Sequence, residues 1–450
     1  MIIPIYQNNN YKIYSVDIFV TLLFIVFFYH FFRGIILQKR VVGYDKVETP
    51  LTRKLVEEGI EVHYKDDPEL IPDNTDLVIY TPAIPDDQQQ MVYCKTSNWP
   101  LIKRSEALGL LTQEHKTIAV AGTHGKTTTS ALMTHCLKYL GIDVSAFVGG
   151  IMKNYNSNYM TGESDWMVVE ADEFDRSFLK LEPDIAILIS VDPDHLDIYN
   201  SHDEMKSGFL EFLKKVKTGG QIIIHETVLE ALDSEVIESL RERISVSVYS
   251  VNLDGFLSTT IRNNGNSFFA GIHNVENALA VSKVIESLTD STEQLMDALI
   301  SFQGIKRRFE KVYESDNYLY IDDYAHHPTE INSVIEALRK LANGKEILGI
   351  FQPHLFSRTR DFYEGFAKSL SGLDKVILLD IYPAREEPIP GINSNLIFDL
   401  IENEKKWLMS KSQLVRHLET NLSPVILTIG AGDIDTEVLP IKELLENIDG

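Results

Sequence analysis

The residues best suited to chemistry stand at the ends of short apolar runs. Gly122-Thr123-His124-Gly125-Lys126-Thr127-Thr128 follows the run Lys116-Thr-Ile-Ala-Val-Ala121 and leads into Ser130 to Leu140, where apolar residues recur at helical spacing before Gly141. This is the form of a phosphate cradle. Glycines let backbone N–H groups approach phosphate oxygens, a helix N-terminus adds partial positive charge, a lysine reaches the β and γ phosphates, and a threonine hydroxyl can hold Mg²⁺. The general pattern G-x-x-x-x-G-K-[ST] asks for glycine at position 120, where Val120 stands, so the loop is a shorter G-T-x-G-K-T form. The plain alternative is a strand, a turn and a helix carrying a surface lysine.

Further polar clusters close other apolar runs. Glu170-Ala-Asp172-Glu173 ends one, where an acidic side chain can reach a Mg²⁺ held by the phosphate loop, or is simply a solvated turn. Asp192-Pro-Asp194-His195-Leu-Asp197 follows the next run and offers carboxylates and an imidazole for a second metal, or a structural turn. His273-Asn274-Val-Glu276-Asn277 opens a helix with Asn274 and Asn277 on one face, suited to an adenine edge or to capping. Lys306-Arg307-Arg308 packs cations beside Gly304, suited to phosphate or to solvent. Asp322-Asp323-Tyr324-Ala-His326-His327-Pro328 leaves a strand and enters a helix, holding more chemistry than capping needs. Phe351-Gln-Pro-His354, with Arg358 and Arg360 beyond it, can position a carboxylate or a transferring phosphate.

The elements that must carry these clusters alternate. Strands are expected at Val41–Asp45, Ile60–Tyr64, Leu77–Thr81, Trp166–Glu170, Ile185–Ser190, Gln221–His225, Tyr318–Asp322, Ile347–Phe351, Lys375–Asp380 and Pro424–Gly430, with a less regular region before Gly271. This is the rhythm of an α/β protein with mostly parallel sheets, and it divides into three sheet-based domains at 1–112, 113–310 and 311–450. A net charge of −24 over 450 residues repels nucleic acid and anionic membrane surfaces, so no nucleic acid partner is expected. The only cysteines, Cys94 and Cys136, form no metal or redox spacing and fit a reducing cytoplasm.

Taken in order, these segments resemble the Mur ligases, and among them the alanine-adding members. The resemblance is carried by Gly122 to Thr129, Glu170 to Leu179, Asp194-His195-Leu-Asp197, His273 to Asn277, Arg307-Arg308-Phe309, Asp322 to Glu330, Phe351 to His354 and Ser357 to Asp361, and it runs from about Val41 to the C-terminus. It implies an N-terminal Rossmann-like domain for the UDP-sugar, a central P-loop ATPase and a C-terminal Rossmann-like domain that closes over the amino acid. The implied reaction uses ATP and Mg²⁺ to join L-alanine to the lactyl carboxylate of UDP-N-acetylmuramate through an acyl phosphate, in peptidoglycan synthesis. By motif match, Lys126 acts on the transferring phosphoryl group, Thr127 and Glu170 hold one Mg²⁺, and His195 holds a second. Asn274 and Asn277 contact adenine. Arg308, Asp323, Tyr324 and His326 serve the substrate and acyl-phosphate region, and His354 and Arg358 the amino-acid side. A monomer or homodimer in the cytoplasm is expected.

In the first domain Asp45 closes its strand where it can take ribose or uracil, with His63 and Thr81 to Ile84 nearby. Here the chain departs from the family. Mur ligases begin with a strand and a glycine-rich loop that supports the diphosphate, whereas no glycine precedes Gly34 and the apolar run Ile18 to Phe32 stands in that place. The reading favoured is a shifted frame or mis-assigned start upstream of about Arg40; a short signal-anchor and a real variant are the others. If the segment is real, lost backbone donors weaken UDP-sugar binding by about 1.5 to 3 kcal/mol each. Two rival functions remain: a ligase that reattaches a recycled murein tripeptide to the same UDP-sugar, and a membrane-tethered, inactive nucleotide-binding homologue.

Overall fold

Apolar runs bounded by polar ends fold here as parallel strands, because a sheet covered on both faces takes near-continuous Val, Ile and Leu. The computed structural model describes residues 12–16, 40–48, 50–81, 84–173, 176–192, 199, 201–263, 265–289, 294–384 and 386–450. Three sheets organise them, and the chain divides into two compact units, Met1–Gly304 and Ile305–Gly450.

The first sheet contains β1 (Lys12–Val16), β2 (Arg40–Tyr44), β3 (Glu61–His63), β4 (Leu77–Tyr80) and β5 (Leu101–Lys103), all parallel in the order β3-β2-β1-β4-β5. The expectation that the sheet begins at Val41 is corrected. A strand upstream of Arg40 lies at its centre, with Ile13 in register with both Val41 and Leu77. Its signal, Lys-Ile-Tyr-Ser-Val, is only five residues long and sits beside a far more apolar run. Residues 18–32 lie outside the described residues. Among the described residues no helix is long and apolar enough to cross a membrane.

The second sheet contains β6 (Lys116–Ala121), β7 (Ser145–Met152), β8 (Ser157–Met160), β9 (Trp166–Glu170), β10 (Ile185–Leu188), β11 (Gln221–His225) and β12 (Ser245–Tyr249), in the order β12-β11-β10-β6-β9-β7-β8. Only β7 and β8 pair antiparallel. The region before Gly271 is more regular than expected. It holds β12 and the helices Glu226–Ala231, Ser234–Arg241 and Gly255–Arg262, elements too short for periodicity to declare. Val41, Leu55 and Ile79 of the first sheet region share one core with Leu111, Phe178 and Leu188, so the two sheets of this unit are packed as one body.

The second unit contains β13 (Glu310–Glu314), β14 (Leu319–Asp323), β15 (Ile347–Phe351), β16 (Lys375–Leu379), β17 (Lys406–Met409) and β18 (Val425–Ile429), ordered β13-β14-β18-β15-β16-β17. All pairs are parallel except β13 with β14. Helices Pro328–Ala342 and Phe356–Leu370 bury Ile331, Leu338, Phe366 and Leu370 against one sheet face.

Candidate active site

Parallel strands deliver their carboxyl ends to one edge of each sheet, and Gly122 to Lys126, Glu170 to Glu173, Asp322 to Tyr324 and His354 follow or close such strands. β6, between β10 and β9, ends at Gly122 with φ +142°, and Gly125 follows with φ +80° as the residue before the helix Lys126–Tyr139. A side chain at Gly122 would put its Cβ 2.9 Å from the Ser190 nitrogen. The loop is pinned by β10: the Thr123 amide donates to the Ser190 carbonyl at 3.2 Å and the His124 amide to Ser190 Oγ at 2.9 Å. Thr128 lies in the first turn of the helix.

Lys126 folds back over this loop. Its Nζ donates to the Gly122 carbonyl at 2.9 Å and lies 2.7 Å from Glu173 Oε2, whose side chain is wholly buried. Burial alone would depress the ammonium, but Glu173, Asp172 and Glu170 together raise its pKa, so the charge is retained. Thr127 Oγ1 donates to Glu170 Oε1 at 3.0 Å, which brings together two expected metal ligands from β9 and the helix. The other Glu170 oxygen accepts from the Gly149 amide at 2.8 Å, and burial raises this carboxyl above the usual range. Magnesium takes hard oxygen donors. A hydroxyl and a carboxylate whose negative charge is strained by burial fit that ion. His195 lies outside the described residues.

The two asparagines do different work. Asn277 is buried, and its Oδ1 stands 3.1 Å from where a Cβ on Gly125 would be, so it backs the phosphate loop. Asn274 spends its amide nitrogen on the Phe268 carbonyl at 2.8 Å. In the first sheet Asp45, His63 and Thr81 follow or end β2, β3 and β4, on the edge flanking the central β1. Asp45 is buried and accepts from the Val47 amide at 3.2 Å, His63 is lowered by burial and lies 5.6 Å from the Tyr44 ring, and the Ile84 amide donates to the Thr81 carbonyl at 3.3 Å.

In the second unit, Arg307 and Arg308 lie 5.2 and 5.6 Å from the Tyr324 ring. Arg307 also reaches buried Asp322 and the Gly430 carbonyl, so it braces the turn, while Arg308 is exposed. Asp323 accepts from the Phe309 amide at 2.6 Å and the Ala325 amide at 2.7 Å. Burial pushes its carboxyl up to about 6 against those bonds. Both oxygens therefore hold backbone. His326 and His354 lie 6.4 Å apart, and Arg358 is 3.4 Å from His354 Nδ1. Burial and the Arg358 charge lower both rings, His354 to about 4.

Three residues of this geometry escape the motifs. Glu173 sits in the quoted acidic run without being singled out, Gly149 makes room for the Glu170 carboxylate, and Ser190 ends an apolar strand like any other. Only Glu173 has a sequence signal, its place three residues after Glu170.

The sequence matches the Mur ligase catalytic-domain family over residues 36–116, the Mur ligase middle domain over 120–285, and the Mur ligase glutamate ligase domain over 307–432. A protein of Porphyromonas gingivalis named UDP-N-acetylmuramate–L-alanine ligase is 44% identical over 434 residues, covering 91% of this chain and 94% of that one. A Flavobacterium johnsoniae protein of the same name is 45% identical over 419 residues, covering 91% and 93%. The crystal structure of UDP-N-acetylmuramate-alanine ligase from Thermotoga maritima superposes with a TM-score of 0.73 at 27% identity, covering 97% of this chain and 99% of that one. Shared sequence over nine-tenths of the chain, and a phosphate loop set on the same three-sheet plan, place this protein in the Mur ligase family.

Proposed function

We propose that this protein is an ATP-dependent ligase that joins L-alanine to the lactyl carboxylate of UDP-N-acetylmuramate. The observation that carries this is the charge arrangement of the phosphate loop, where a retained lysine charge and a Thr127–Glu170 oxygen pair stand at one helix N-terminus. The names of the relatives supply the substrates.

In this reading Lys126 exchanges its contact with the loop carbonyl for the transferring phosphoryl oxygens. Asn277, behind Gly125, serves the nucleotide side with Asn274. Magnesium, when bound by Thr127 and Glu170 with His195 at a second position, neutralises phosphate charge. The lactyl carboxylate oxygen attacks the γ-phosphorus, its bond to the β-bridging oxygen breaks, and ADP leaves. Arg308 neutralises the acyl phosphate, with Tyr324 stacked against it and Asp323 holding the turn that presents both. The amine of alanine then attacks the acyl carbon and phosphate leaves. His326 and His354, held neutral at pH 7 by burial and by Arg358, can accept the proton that the amine loses. Asp45, His63, Thr81 and Ile84 line the edge assigned to the UDP-sugar. We place the domain boundaries near 112 and 310, and the enzyme in the cytoplasm with its ATP.

The test is ADP release with ATP, Mg²⁺ and UDP-N-acetylmuramate, with L-alanine, with murein tripeptide, or with neither. Alanine-dependent release is expected. Release driven by tripeptide and not by alanine would replace this reading with the recycling ligase.

A further inference from the structure

Two non-glycine residues with positive φ flank the residues assigned to the amine side: Leu355, at φ 72° and ψ 137°, and Ala384, at φ 50°. Such conformations cost about 1 to 3 kcal/mol each and persist only where neighbours over-determine them. Here they do. The Leu355 amide donates to the Tyr382 carbonyl at 2.9 Å, and the Tyr382 amide donates to the Pro353 carbonyl at 2.8 Å, so His354 and Tyr382 form a parallel bridge beyond β15 and β16. The rings of His354 and Tyr382 stack at 5.9 Å with 18° between planes. The helix Phe356–Leu370 has no side-chain cap from its own N-terminal residue. Glu386 supplies the acceptor from outside, taking the Ser357 amide at 3.0 Å and the Ser357 hydroxyl. A carboxylate there answers the orphan donors and the positive end of the helix. Arg358 is the next residue of that first turn.

We infer that Tyr382 and Glu386 are positioning residues, a clamp that sets the His354 ring and the Arg358 guanidinium for the amine substrate. Tyr382 fixes the plane of His354, and Glu386 fixes the helix start that carries Arg358. Both lie inside the matched C-terminal family domain but outside the motif residues quoted for the resemblance. The inference rests on the assignment of His354 and Arg358 to the amine side, made above.

The experiment compares Glu386→Ala, Glu386→Gln, Tyr382→Ala and Tyr382→Phe in the full chain. Alanine-dependent ADP release gives kcat and separate KM values for L-alanine, ATP and UDP-N-acetylmuramate. Amide hydrogen exchange of residues 354–359 reads the clamp without any substrate. Glu386→Ala and Tyr382→Ala should raise KM for alanine about tenfold, the scale of a lost capping interaction, with the other KM values within about twofold. Glu386→Gln, which keeps an acceptor, and Tyr382→Phe, which keeps the stacking ring, should recover most of that loss. Exchange should quicken at 354–359 in the alanine variants alone. Faster exchange with an unchanged KM for alanine would reduce the clamp to scaffolding and overturn the inference, as would an equal rise in all three KM values. No alanine-dependent release by the unaltered chain would overturn the ligase reading, while exchange would still decide whether Glu386 and Tyr382 hold residues 354–359.

Discussion

Gly149→Ala is the sharpest test of the metal-facing geometry, because it adds one carbon at a position that no motif marks. Gly149 is exposed on β7, and its amide donates 2.8 Å to Glu170 Oε2. A Cβ there would stand 2.6 Å from that oxygen and 2.9 Å from the other. Ordinary contact begins near about 3.5 Å, so the carboxylate must withdraw by about 1 Å. Withdrawal weakens its bonds from the Gly149 amide and from Thr127, each worth about 1.5 to 3 kcal/mol for an ionised acceptor. A metal ligand tolerates displacement of only about 0.2 Å. The Mg²⁺ concentration giving half-maximal ADP release should therefore rise by about 10- to 100-fold, the range for disturbing the groups that orient a ligand. The melting temperature should fall by only a few degrees, the scale of one partly lost hydrogen bond, since no core side chain moves. Gly255→Ala, whose added Cβ meets nothing within 4 Å, is the control and should change neither the Mg²⁺ dependence nor the melting temperature. A Gly149→Ala protein with the parent's Mg²⁺ dependence would refute the claim that the Glu170 carboxylate serves the metal from this position.

Two further outcomes follow from buried charge. Glu173→Ala strands the Lys126 ammonium, whose side chain is only 12% exposed, and should lower the urea midpoint by the equivalent of about 3 to 5 kcal/mol, whereas Glu173→Gln should cost less because it keeps an acceptor; equal midpoints for Ala and Gln would count against the pair. Asp323 is raised from 3.8 to about 6 in the fold, so its contribution to stability is fully present below pH 3.8 and is lost as pH rises through 6. Urea midpoints measured from pH 3.5 to 7.5 should fall in the parent relative to Asp323→Asn by about 3 kcal/mol across that window, and parallel profiles would show that the carboxyl is not held up by burial.

Much of this was legible along the chain. β9, β11 and β15 fall where their apolar runs do, because strands buried on both faces must be apolar throughout. Lys126, Thr127 and Glu170 declare themselves by type and spacing at strand ends. β1 does not. Its few residues earn their place through register with β2 and β4, contacts separated by tens of residues. Likewise Asp323 and Asn274 are chemically apt for substrate, yet the fold gives the Asp323 oxygens and the Asn274 amide nitrogen to backbone partners. A sequence shows which groups can make a hydrogen bond but not which neighbour arrives first.

The sequence by itself determined the alternation of strands and helices, the phosphate loop, and the order of clusters that marks the family, because each of these is written in local spacing. Tertiary structure alone decided that Glu173 receives the lysine, that Gly149 leaves room for a carboxylate, and that Glu386 caps a helix 29 residues before it. Those meetings join residues 47, 21 and 29 positions apart, which chain folding and not local spacing brings together.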